Sequence, residues 1–211
     1  MGLSNASARK RAIILASLAI VSGVLSNFSS LLAPSLSFFS QLFFGVDLLP
    51  GIFFGMVLGL AIRLWVSRRI FEIFAMVLST VVAWFAAVKT AETAYHSIQH
   101  MLAEIAAPGT DLTINFMFAV CGVLGGLVGS TILTFGLSLV CKEFGAFENW
   151  ARVVMPGTVL GILLELSAKD DKFALHLGTL LPLFLGWQMT VAAIIGYCIV
   201  PRTDDGKLAS H

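Results

Sequence analysis

Apolar residues fill this chain in blocks too long for strands, and polar residues collect between the blocks instead of alternating within them. A helix needs roughly 20 mostly apolar residues to cross the hydrocarbon of a bilayer. Six blocks approach or exceed that length, at about 11–32, 50–66, 70–88, 113–141, 153–169 and 173–200. Hydrocarbon leaves no partner for an open strand edge, so each block is expected to be a helix. The second and fifth are short; the fourth and sixth are long enough to tilt. The pattern predicts an all-α, polytopic integral membrane protein: a single membrane domain over 1–211, built as a compact bundle of six transmembrane helices.

One window breaks the pattern. "ETAYHSIQHMLAE" sets Glu92, His96, His100 and Glu104 four residues apart, with Ala94, Ile98, Met101, Leu102 and Ile105 on the other side. Each four-residue step drifts by about 40° on a helix, so the polar series covers one arc. It reads as an additional amphipathic helix at about 90–106, ended by Pro108 and Gly109 and lying on the outer membrane interface. Its polar arc is first a solvated face. The sharper alternatives are a divalent-cation site, with His96 and His100 facing one ion and Glu92 or Glu104 as third ligand, and a pH-responsive histidine patch. No cofactor is otherwise required.

Composition supports the membrane reading. The chain is 58% hydrophobic and 12% charged, whereas soluble domains run to about half and about a quarter. A net charge of +1 provides no basic field for nucleic acid. Cys121, Cys141 and Cys198 are far apart and form no CxxC pair, so they read as buried hydrophobes. The basic start and following apolar run are compatible with a signal peptide, but the run outlasts a signal core and is taken as an uncleaved first span.

Charge also orients the bundle. With the N-terminus in the cytosol, Arg9, Lys10, Arg11, Arg63, Arg68, Arg69, Lys142, Arg152, Arg202 and Lys207 fall inside, against Lys89, Lys169 and Lys172 outside. That asymmetry predicts both termini cytoplasmic; the membrane is expected to be a bacterial inner membrane. The first outer loop is rich in Phe and Ser and has Asp47 as its only charge. Such a loop is expected to dip into the membrane or lie on it as a lid.

Glycine spacing predicts how the spans meet. Gly51, Gly55 and Gly59 form one stripe, Gly122/Gly126 and Gly125/Gly129 two more, and Gly157/Gly161 a fourth. In lipid, association relies on close backbone approach, which such stripes permit. The expected partners are the lipid bilayer and the chain's own helices, with a second copy or other membrane subunits as candidates. Pro50–Gly51 and Pro156–Gly157 lie half a chain apart and would mark a 3+3 inverted repeat, each proline at the first turn of its span.

Intramembrane polar groups are candidate solute or ion ligands. Glu165, Gln188 and Asn115 qualify, with Lys169 positioned to pair with Glu165 and interhelical hydrogen bonding as the plainer role for the other two. Glu72 beside Arg68 and Arg69 reads as an interfacial ion pair.

Six spans, cytosolic termini, a gating-like first outer loop and an Ala12-x-x-x-Ala16 pair resemble, in architecture, the membrane subunits that capture vitamins for energy-coupling-factor importers. That resemblance implies a solute-capturing membrane subunit and carries over no binding residue. In span order alone, Ser130 and His176 resemble the serine–histidine pair of rhomboid intramembrane proteases, although "GLVGST" lacks that family's Gly-x-Ser-Gly. The expectations rank a small-solute transporter or transport subunit first, a non-catalytic scaffold, sensor or assembly subunit second, and a rhomboid-like hydrolase third.

Overall fold

A computed structural model of the chain describes residues 2–32, 34–66, 69–105, 111–164 and 181–200. Among these, all regular structure is helical: α1 (Gly2–Asn27), α2 (Ser29–Leu32), α3 (Pro34–Phe44), α4 (Leu49–Trp65), α5 (Ile70–Ile105), α6 (Asp111–Val140), a 3-10 turn (Lys142–Gly145), α7 (Phe147–Leu160) and α8 (Leu181–Cys198). Helices α5, α6 and α8 are long and apolar enough to cross a membrane. A fourth crossing is added if α3 and α4, whose axes bend by 109° between them, count as one broken span.

The long helices close into a ring. Helix α1 packs on α4, α4 on α5, α5 on α6, α6 on α7, α7 on α8, and α8 back on α1. Glycines make the tight crossings possible. A Cβ on Gly51 or Gly55 would come within 2.9 Å of the α5 backbone at Val81 or Val77, and one on Gly59 within 2.9 Å of the Ile73 side chain. On α6, Gly125 and Gly129 meet Ala87 of α5. Gly122 and Gly126, on the other flank, meet Gly161 and Gly157.

Two expectations are corrected. The amphipathic stretch at 90–106 is not a separate helix: α5 runs unbroken for 36 residues, about 54 Å at 1.5 Å per residue. Change of polarity does not stop a helix. No glycine or proline interrupts 70–105, and the Thr93 and Ser97 hydroxyls bond back to the carbonyls of Lys89 and Thr93. The helix therefore outreaches a hydrocarbon core of about 30 Å. Likewise, α7 begins at Phe147, so Pro156 lies inside it and not in its first turn. Extended Ala146 starts α7, Asn149 reaches back to the Glu143 carbonyl, and fully buried Phe144 anchors the preceding 3-10 turn. The two Pro–Gly pairs thus hold different positions in their helices, Pro50 alone being at a helix start.

The ring is solid at one end. Leu15, Leu58, Ile62, Leu137, Val191 and Ile195 are fully buried there. Arg11 closes this end by donating to the Ile199 carbonyl beyond α8 (2.8 Å) and to Ser7 (2.7 Å). Near it, Arg69 and Glu72 form the expected ion pair at 3.9 Å. Cys141, just past α6, is 1% exposed, and burial pushes its thiol up to about 12. Since the thiolate is the reactive form, Cys141 should resist a maleimide at pH 7.5 in folded protein and react in SDS, as intact-mass measurement would show.

Candidate functional site

The opposite end of the ring is hollow. A cavity of about 780 Å³ lies among the ends of the helices, within the 300–1,000 Å³ range of small-molecule sites. Its floor is Leu133 with Phe54 and Trp187, the two rings meeting edge to face at 5.6 Å. One wall carries Trp84 against Phe184, centroids 5.3 Å apart. Gly122, Gly125, Gly126 and Gly129 of α6 also line the cavity.

Polar groups are few and placed by identifiable bonds. Trp187 donates its indole N–H to the Gly157 carbonyl (3.1 Å), tying α8 to α7. Thr80 donates to its own helix at Met76 (2.7 Å). Gln188, 3% exposed, donates through Nε2 to Ser26 Oγ of α1 (3.2 Å), while its Oε1 has no hydrogen-bond partner. A buried amide with one end unspent costs free energy, and Gln188 borders the cavity.

The mouth is built around Asp47. Its Oδ2 accepts from Ser29 (2.7 Å) and Ser37 (2.9 Å), and its Oδ1 accepts the Leu49 N–H (3.0 Å). Its backbone carbonyl accepts the Trp84 indole N–H (2.7 Å). One residue thereby joins α2, α3, the start of α4 and the middle of α5. A carboxylate at the start of α4 also complements that helix's dipole. The fold explains the odd composition of this loop. Ser29 and Ser37 turn inward, whereas Leu36, Phe38, Leu42 and Phe43 are exposed, the polarity suited to a segment that covers a polar mouth and faces lipid. Gly45 ends α3 with φ +65°, its N–H bonded to the Gln41 carbonyl (2.8 Å). A Cβ there would lie 3.1 Å from Lys89 Nζ, the far end of a flexible side chain, so it is the backbone conformation that calls for glycine.

Of the residues singled out in the sequence, the cavity contains Gln188, Pro50 and the glycines Gly51, Gly122, Gly125, Gly126, Gly129 and Gly161. Glu165, Lys169 and His176 lie outside the described residues, as do the side chains of Asn115 on α6 and Glu104 on α5. Glu92 pairs with Lys89 at 2.7 Å. His96 and His100 are exposed farther along α5, with His96 edge-on to Tyr95 at 5.7 Å. Among the described residues no three His, Cys, Asp or Glu side chains come together as a metal shell. Ser130 is fully buried at the α6–α7 crossing, donating to the Gly126 carbonyl, the setting of a packing residue and not of an exposed nucleophile. Asp47, Trp84, Trp187 and Ser26 were not among the candidates. Asp47 had a signal, as the lone charge of an apolar loop; the indoles had none, because tryptophan in a span is usually packing.

No family model, curated protein or solved structure matches this chain.

Proposed function

We propose that this protein captures a small solute from one side of a membrane, as a transporter or as the membrane subunit of a transport system. The cavity carries this reading: it is roomy, mostly apolar, open toward one end of the ring and covered by α2 and α3, which Asp47 holds in place. The solid end below it separates a binding compartment from the opposite membrane face. In this reading α1, α4, α5, α6, α7 and α8 are six crossings, with Arg11 and the other clustered cations on the cytoplasmic side. A 3+3 inverted relation between the halves belongs to this proposal, although the Pro–Gly pairs do not mark it. A cavity below the first outer loop also accords with the architectural resemblance to solute-capturing importer subunits.

The test is purification in mild detergent followed by native mass spectrometry. A stoichiometric small molecule released on collisional activation is expected. Protein that carries none, and binds none from a concentrated small-molecule extract of its host, would count against the proposal. Reporter fusions should place both termini in the cytoplasm.

A further inference from the structure

We infer that the solute is an uncharged, ring-bearing molecule whose polar end is a carboxamide or lactam, taken up by Gln188; this rests on the solute-binding reading above. Gln188 spends one end of its amide on Ser26 and leaves the other without a partner. As the amide stands, its free end is the acceptor Oε1, on a residue that borders the cavity. A ligand amide or lactam supplies an N–H to that oxygen. A ketone or an ether supplies no donor.

Charge and shape narrow the class further. Gln188 is a neutral group, 3% exposed, and an ion buried against it would lack a counter-charge. Asp47, the charged residue of the lining, already accepts from Ser29, Ser37 and the Leu49 N–H, so an ammonium there would compete with three hydrogen bonds already made. The body of the ligand meets the rings of Phe54, Trp84, Phe184 and Trp187. An aromatic lining of this kind suits a ring.

Four probes of one shape test this in nanodiscs by calorimetry, with empty nanodiscs as reference: 2-naphthamide, 2-acetylnaphthalene, 2-naphthoate and 2-naphthylmethylammonium. The amide should bind about tenfold or more tighter than each of the others, the scale of one buried neutral hydrogen bond. In Gln188→Leu the amide should lose that lead while acetylnaphthalene affinity stays within about threefold, which also certifies an intact cavity. Should Gln188→Leu fail to fold, Gln188→Asn, one methylene shorter, must show the same loss. Gln188→Glu should move the preference to the ammonium. If naphthoate or the ammonium leads in the parent protein, or if the amide's lead survives loss of Gln188, the ligand class is wrong while the cavity still binds. If none of the four binds above empty nanodiscs, the solute-binding reading falls with it.

Discussion

Gly122→Leu is expected to leave little monodisperse protein in detergent, and Gly145→Ala to change nothing measurable. A Cβ on Gly122 would overlap the Gly161 carbonyl and come within 2.9 Å of the Leu164 Cβ. The obstacle is chiefly backbone, which cannot rotate aside as a side chain can, so α6 and α7 must move apart along their crossing. Overpacking a well-filled contact costs about 1–3 kcal/mol where side chains yield; against backbone, about 3 kcal/mol or more is expected. In lipid that loss is not recovered elsewhere, because apolar surface gains nothing by leaving apolar solvent. Gly145, with nothing within 4 Å of its would-be Cβ, is the matched control. Fluorescence-detected size-exclusion chromatography after a temperature ramp would read both. A Gly122→Leu protein as heat-resistant as the parent would mean that the α6–α7 contact does not hold the ring.

Asp47→Ala should loosen the cover of the cavity without melting the closed end. The change removes acceptors from Ser29, Ser37 and the Leu49 N–H together. Hydrogen bonds to a charged group contribute about 1.5–3 kcal/mol each and do not add fully, so a local loss of about 3 kcal/mol is expected. Hydrogen exchange is the direct measurement. Amides of 29–49 should exchange at least tenfold faster, while those of α8 around Val191 and Ile195 keep their parent rates. Asp47→Asn retains one oxygen acceptor and should fall between. Bound solute should dissociate faster in the same order. Uniform acceleration across the chain would show Asp47 to be a general stability determinant; no acceleration would show that other contacts hold α2 and α3.

How much of this could be read in advance differs by element. Helices α5, α6 and α8 were legible because their apolar runs reach the length that crosses a bilayer. The glycine stripes of α4 and α6 pointed at close approach, although spacing could not say that the two flanks of α6 serve α5 and α7 separately. The extent of α5 is not legible because polarity changes at Lys89 while helix propensity continues. The start of α7 is hidden because Pro156 has the look of a first-turn residue and the preceding "FENWARV" segment is polar. The cavity itself had no local signature. Its lining comes from α1, α4, α5, α6 and α8 at once, and its Gln188 looked like an ordinary interhelical hydrogen bonder.

The fully buried floor beneath Phe54 and Trp187 makes the hollow a blind cup and not a pipe. Under the proposed function a solute entering by the mouth would leave by the mouth. Passage to the far face would require the side chains of Leu58, Leu137 and Ile195 to part, or the helices around the cavity to rearrange.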